Sequence, residues 1–186
     1  MIQKLVHLAQ QCLLVAALLL PSQATSGGFV IHVGPGKRDF PIAVPKPEGQ
    51  NPQVDKLWST IRRDLQMTGY FKIIDPDAYI DQSGGVAPNT FNFSDWTLLQ
   101  AAALAKTSLK SVDSMLEVDL YVYDVNQGTP ILGKRLKANN SSVTAIAHKV
   151  SAHIVRALTG QETFLGQSLV VVGEKTGNKE IYIMGL

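Results

Sequence analysis

The chain has 186 residues, of which 45% are hydrophobic and 17% are charged, and its formal net charge is +2. This composition supplies enough apolar material for an ordinary core and argues against intrinsic disorder. The net charge is small and no run of basic residues exceeds two, which argues against nucleic acid as a partner. We therefore expect a folded domain with no nucleic-acid partner.

Residues 1–26 are typical of a signal peptide. Lys4 precedes the apolar run Leu13–Leu20, Pro21 ends that run, and small residues follow before an expected cleavage site. The apolar run is short for a membrane span, so we expect no membrane insertion after cleavage; an uncleaved anchor is the alternative. Removing this leader also removes Cys12, the single cysteine, and it leaves 16 basic and 15 acidic residues, a net charge of +1. A cysteine-free exported chain fits the bacterial periplasm.

The expected mature chain begins at Gly27 with a glycine-led strand that ends at Val33. The residue types allow two interpretations, an ordinary edge strand of the fold or a terminal strand that can detach and bind elsewhere. Gly34–Lys37 lacks the spacing of a phosphate-binding loop and is predicted to be a turn. Phe40–Pro45 resumes an extended path, and its two prolines predict an edge or irregular strand.

Asn51–Pro76 contains the clearest local signals in the chain. Asn51 is a suitable cap for a helix, Pro52 suits its first turn, and Gly69 suits its end. The charged residues of the helix, Asp64 among them, are expected on its outer faces. Tyr70–Ile74 then predicts a strand. The helix carries an apolar stripe at a period of 3.6 residues, formed by Val54, Leu57, Trp58, Ile61 and Leu65.

A second helix is predicted to begin at Ser94, to carry Trp96 and Leu99, and to extend into the alanines at 101–103. Leu104–Leu109 then fits a buried strand. With the strand near Tyr70–Asp75 this makes a strand–helix–strand unit, which favours parallel pairing with a right-handed crossover.

The clearest strand is Met115–Val125, in which apolar residues alternate with Glu117, Asp119 and two tyrosines. Its even positions are expected to be buried and its odd positions, including Tyr123, to face water. A turn leads to an antiparallel partner at Ile131–Lys137. A third amphipathic helix follows, capped near Ser142 and ending at Gly160. These elements predict an α/β (α+β) fold over residues 27–160, with a mixed sheet and about three amphipathic helices.

Residues 161–186 have a different pattern. Leu169–Val172 and Ile181–Met184 predict a hairpin, and an isolated two-stranded hairpin is marginal in water. It either docks on the preceding domain or begins a second, all-β domain. The sequence runs to Leu186 without an ending signal, which favours the second interpretation.

Candidate catalytic chemistry is weak. His148 and His153 are five residues apart, whereas two metal ligands on one helix face are four apart, so packed or surface histidines are favoured. Glu117 and Asp119 share the wet face of a strand and are expected to be solvated. No nucleophile motif or metal-spaced cluster is present in the sequence. We expect a protein that is not an enzyme and that needs no cofactor or metal.

The order and spacing of short stretches across residues 29–186 carry a family resemblance. The stretches are Phe40–Pro45, Ile61–Asp75, Phe93–Trp96, Val122–Val125, Ala147–Lys149, Leu158–Gly160, Phe164 and Ile181–Met184. Together they resemble the amino-terminal domain of the TolB family of the Tol-Pal system, followed by the first hairpin of a truncated β-propeller. In that interpretation residues 161–186 are a linker and an incomplete first blade.

The resemblance implies a periplasmic adaptor without enzymatic activity. Such a protein would link the inner-membrane Tol complex to the lipoprotein Pal at the outer membrane, in support of envelope integrity, cell division and bacteriocin import. Pal would bind through a propeller that is mostly absent here. The alternative from another class is a periplasmic ligand-binding or hydrolytic protein that carries the same domain beside a different propeller.

The resemblance also implies a binding segment for the carboxy-terminal domain of TolA. The physical mode is strand addition, in which main-chain hydrogen bonds give affinity and alternate side chains give selectivity. The residues of this segment are Gly27, Gly28, Phe29, Val30, Ile31, His32 and Val33.

Overall fold

The computed structural model describes residues 40–81, 85–174 and 177–185. Within these ranges three helices pack with a five-stranded mixed sheet, which confirms the predicted fold class. No helix of these ranges has the length and apolar character that crossing a membrane requires. The strands of the main sheet are β1 Phe40–Ala43, β2 Phe71–Ile73, β3 Ala103–Val112, β4 Met115–Asp124 and β5 Thr129–Asn139. The helices are α1 Val54–Thr68, α2 Phe93–Leu98 and α3 Val143–Thr159, with a single 3₁₀ turn at Pro76–Ala78.

The strand order in the sheet is β2-β1-β3-β4-β5, with β1 parallel to both neighbours and β3, β4 and β5 antiparallel. The edge alternative of the prediction for Phe40–Pro45 is therefore wrong, and the strand ends at Ala43, before Pro45. The predicted parallel strands β2 and β3 do run in the same direction, but β1 lies between them. Pro41 lacks an N–H, and its carbonyl oxygen faces the β3 side, where it accepts from the N–H of Ala102 at 2.9 Å. Because the N–H and C=O of a strand residue point to the same side, the missing N–H would face the chain just before β3 begins. The proline therefore removes no hydrogen bond between β1 and β3.

Helix α1 forms where its apolar stripe predicts it, although it begins at Val54 rather than directly after Asn51. The Asn51 side chain accepts a hydrogen bond from the N–H of Gln53 at 2.8 Å, so it stabilises a turn that leads into the helix. Gly69 ends α1 in the left-handed conformation, with φ of 74°. The stripe residues Leu57, Ile61 and Leu65 are fully buried.

Helix α2 is shorter than predicted. The Asn92 side chain accepts from the N–H of Ser94, so the cap lies two residues before the predicted one. The helix ends at Leu98 because Gln100 adopts a left-handed conformation, with φ of 57°. Ala102 then donates its N–H to the carbonyl oxygen of Pro41, and Ala103 begins β3, so the helix does not extend into these alanines as predicted.

The sheet has a core on each face. The larger core lies between the sheet and helices α1 and α3, and it includes the even positions of β4. The smaller core contains Trp96, Leu104 and Tyr123, against which Phe91 and Phe93 pack edge-to-face. The prediction that Tyr123 faces water is therefore wrong, because the aromatic loop before α2 covers that part of the sheet. Its hydroxyl donates to the carbonyl oxygen of Val86.

The predicted terminal hairpin is present as β6 Ser168–Gly173 and β7 Glu180–Gly185, which pair with each other as a separate two-stranded sheet. Val170, Val172 and Ile181 lie on one side of this hairpin and are 61–73% exposed. Val171 and Tyr182 lie on the other side and are 42% exposed. The hairpin thus presents apolar side chains on both faces, a pattern typical of strands that are covered on both sides.

Candidate functional site

The segment predicted to bind a partner, Gly27–Val33, lies outside the described residues, so its role stays a prediction. The sheet nevertheless shows where an added strand could pair. Its outer strands in the described part of the chain are β2, with three residues, and β5, with eleven. Strand addition needs a row of free main-chain donors and acceptors, which β5 can offer over a much longer stretch than β2.

A buried polar contact in the main core joins α1 to α3. The Nδ1 atom of His148 lies 2.7 Å from Oδ2 of Asp64, and both residues are buried, at 5% and 1% exposure. The prediction that Asp64 lies on an outer face is wrong. Its position three residues after Ile61 and one before Leu65 places it on the stripe itself, and that spacing could have revealed it. Two of the stretches that carry the family resemblance therefore meet at this pair.

A carboxylate beside a histidine is also an arrangement that activates nucleophiles in hydrolytic enzymes. Here the pair has little contact with solvent, and the Arg63 guanidinium lies 3.7 Å from Oδ1 of Asp64. The buried hydroxyl one turn along α3, that of Ser151, donates to the carbonyl oxygen of Ala147 at 3.0 Å. The geometry supports a structural bridge between the helices.

The same histidine contacts the segment that leads to the terminal hairpin. Gly166 adopts a left-handed conformation with φ of 74°, and a Cβ atom there would lie 3.1 Å from Cβ of His148. Next to this contact lies a groove of about 330 Å³, which is bordered by residues 165–168 on one side and by α3 on the other. Lys149 and His153 are among the α3 residues that line it. The Asp64–His148 pair therefore lies under the point where the chain leaves the α/β domain.

A second buried pair lies on the opposite face of the sheet. Nζ of Lys106 is 3.1 Å from Oδ2 of Asp81, and the two side chains are 4% and 6% exposed. The Lys106 ammonium also lies 4.2 Å from the centre of the Phe91 ring, an electrostatically favourable position. Burial lowers the pKa of Lys106, while the hydrogen bond and charge of Asp81 act in the opposite direction. The pair attaches the loop after the 3₁₀ turn to β3.

The acidic residues of β4 are not solvated as predicted. Arg135 on β5 lies between them, with Nε 3.2 Å from Oε1 of Glu117 and Nη2 3.0 Å from Oδ2 of Asp119. Lys137 contacts the other oxygen of Glu117 at 3.1 Å. Because the carboxylates are held by basic side chains of the next strand, they form a cross-strand ion-pair ladder rather than a pair that flanks a cleft.

The two histidines of α3 have separate surroundings, as their spacing predicts. His148 contacts Asp64, whereas His153 is half-buried near Lys134 and Arg156. Burial and the positive charges of Lys134 and Arg156 lower the pKa of His153. Across residues 40–81, 85–174 and 177–185, no group of three or more His, Cys, Asp or Glu side chains is placed to hold a metal ion.

Comparison with known proteins gives a consistent result. The family described as "TolB amino-terminal domain" matches residues 30–131, just over half of the chain. Among curated proteins, "Tol-Pal system protein TolB" of Syntrophotalea carbinolica is 28% identical over 179 residues, which cover 92% of this chain and 41% of that protein. "Protein TolB homolog" of Chlorobium chlorochromatii is 30% identical over 135 residues, which cover 72% of this chain and 31% of that protein.

A solved structure agrees at the level of the fold. The crystal structure of TolB from Acinetobacter baumannii has a TM-score of 0.59 and 22% sequence identity, and the match covers 78% of this chain and 36% of that one. The chain thus spans about two fifths or less of the length of these proteins.

Proposed function

Because this chain belongs to the TolB family through its amino-terminal domain, we propose that it serves as a periplasmic adaptor of the Tol-Pal envelope system. The observation that supports this most is the family match over residues 30–131 together with relatives named as Tol-Pal system proteins. In this role it helps to couple the inner-membrane Tol complex to Pal, and so contributes to envelope integrity, cell division and bacteriocin import. The signal-peptide pattern of residues 1–26 supports export to the periplasm.

The contact with TolA is assigned to the mature amino-terminal segment, Gly27–Val33. Its glycines give the chain freedom to leave its own domain, at an entropic cost that binding must offset. Phe29, Ile31 and Val33 alternate with Val30 and His32, so an extended segment presents one apolar side to a partner sheet. Main-chain pairing to the edge of that sheet provides the rest of the affinity.

The terminal hairpin is proposed as the beginning of the first blade of a β-propeller. The support is its exposed apolar surface on both faces, since a propeller blade is packed between its two neighbouring blades. In that arrangement the Pal-binding face is formed by the propeller. The groove beside Gly166 then lies at the boundary between the two domains.

Deletion of the terminal segment tests the TolA contact. Titration calorimetry of residues 27–186 against a TolA carboxy-terminal domain is expected to show binding that is lost when the chain starts at Gly34. The deleted residues precede the described fold, so circular dichroism should show the same folded content for both chains. A second variant, Phe29→Asp/Ile31→Asp, should also lose binding, whereas His32→Ala should retain it because His32 is on the other side of the extended segment.

Two results would contradict this assignment. Equal binding by the long and short chains would place the TolA contact outside Gly27–Val33. No binding by either chain would remove the TolA contact, and the adaptor role would then rest on family membership alone.

A further inference from the structure

Strand β5 has the longest outer edge of the sheet in the described residues. It runs over eleven residues, Thr129–Asn139, and pairs with β4 on one side. On its other side the strand order of the sheet ends. A strand in this position presents unpaired main-chain donors and acceptors, which an extended peptide can use.

A groove runs beside this edge, between β5 and α3. Its volume is about 380 Å³, and its floor is apolar, formed by Ile131, Leu132 and Ala157, all of them half-buried. Its rim carries Lys134, His153 and Arg156. A peptide that paired with β5 would direct alternate side chains towards this groove, because successive side chains of a strand point to opposite faces.

The charge of the rim is positive. Lys134 has no ion-pair partner in the described part of the chain, and it lies close enough to His153 to lower the pKa of that side chain. Arg156 contacts Glu162 at 2.8 Å, but both side chains are exposed, so this pair holds the guanidinium only weakly. Together these groups favour a partner that brings carboxylates.

The same charges disfavour a second copy of this chain as the occupant. Antiparallel pairing of β5 with its own copy about its midpoint would place Lys134 opposite Lys134 of the second copy, and like charges directly opposite each other on paired strands are destabilising. The Gly27–Val33 segment is uncharged apart from His32 and would leave the basic rim without a counter-charge. A strand that carries apolar and acidic residues on the same face satisfies both the apolar floor and the basic rim.

We propose that the groove between β5 and α3 binds an extended acidic peptide segment, which adds as a strand to β5 and pairs its carboxylates with Lys134 and Arg156. This site is separate from the TolA contact assigned to the terminal segment. It gives the α/β domain a second interaction surface, whose partner carries both apolar and acidic side chains on the face that is directed towards the groove.

The test uses a nine-residue synthetic peptide with blocked termini, Val-Thr-Glu-Thr-Val-Thr-Glu-Thr-Val, which places valine and glutamate on the same face of the strand, and a matched peptide in which lysine replaces glutamate. Calorimetry with residues 27–186, which contain every described residue, should show binding of the glutamate peptide alone. Lys134→Glu should weaken that binding about tenfold, since one attractive contact becomes repulsive. Lys72→Glu is the matched control, an exposed lysine on the opposite edge strand β2, and should leave the affinity unchanged.

A second readout locates the peptide on the protein. The pKa of His153, followed by its ring proton in nuclear magnetic resonance, should rise when the glutamate peptide is added because carboxylates approach the ring. The chain starting at Gly34 should bind this peptide as the longer chain does, which separates the proposal from the TolA contact. Equal binding of both peptides, no binding of the glutamate peptide, or an unchanged His153 pKa in the bound state would each overturn the proposal.

Discussion

Substitution of His148 by alanine is expected to lower the free energy of unfolding by about 3–5 kcal/mol, because the carboxylate of Asp64 then stays buried without its partner. The two side chains are 2.7 Å apart and almost completely removed from solvent. In addition, the loss of the imidazole leaves a cavity between α1 and α3 and beneath Gly166, and such a cavity adds to the cost.

Urea unfolding followed by circular dichroism measures this effect. His153→Ala is the matched control, since His153 is on the same helix but only half-buried and away from Asp64; its effect should be about 1 kcal/mol or less. The double variant Asp64→Ala/His148→Ala should be more stable than the sum of the single losses predicts, because it leaves no partnerless buried group. Equal effects of His148→Ala and His153→Ala would show that the pair does not stabilise the domain.

Much of the fold follows from local signals that the tertiary structure reinforces. The stripe of α1, the glycine at 69 and the alternation of β4 each predicted an element that the structure contains. The predictions from local sequence are wrong where contacts between residues distant in sequence determine the position of an element. Phe40–Pro45 has the residue types of an edge or irregular strand, yet β1 lies between β2 and β3. Its proline is tolerated there because the N–H that Pro41 lacks would face the chain just before β3 begins.

The polar contacts of the interior were harder to predict than the elements. The spacing puts Asp64 on the buried stripe, but a charged residue on a helix is usually solvated, and the partner that allows its burial, His148, is 84 residues away. Lys106 was recognised only as part of a buried strand, because its partner Asp81 lies in a loop whose path no periodic pattern indicates. The alternation of β4 predicts that Tyr123 faces water, because it gives no sign of Phe91 and Phe93, the aromatic side chains that cover it. Spacing predicts which face a residue occupies, but it does not predict what a loop brings to that face.

The Lys106–Asp81 pair on the other face of the sheet should also stabilise the domain. Lys106→Met is expected to lower the free energy of unfolding by about 3 kcal/mol, because it keeps the aliphatic stem of the side chain but removes the ammonium group from the buried carboxylate of Asp81. Lys110→Met is the control, an exposed lysine four residues along the same strand, and should change the stability by about 0.5 kcal/mol or less.

The pH dependence of the free energy of unfolding should identify the contribution of the Lys106 ammonium group. The pKa of Lys106 is lowered from 10.5 in the folded state, so unfolding takes up a proton when the pH lies between the folded-state pKa and 10.5. Stability therefore rises with pH through that window, and Lys106→Met should remove this rise. Burial raises the pKa of Tyr79, so this residue makes the stability fall as the pH rises above the ordinary tyrosine value of 10.0. The stabilities of the unsubstituted chain and of Lys106→Met should therefore be compared below pH 10.0.

Replacing both partners distinguishes the ion pair from simple packing. Lys106→Met/Asp81→Leu should recover most of the stability that Lys106→Met loses, because two apolar side chains of similar size leave no buried charge. Asp81 has further interactions, so recovery should be incomplete. If the double variant were less stable than Lys106→Met by as much as Asp81→Leu alone destabilises the chain, the two residues would act independently. The attachment of the loop to β3 would then depend on the aromatic contacts around Phe91 rather than on the ion pair.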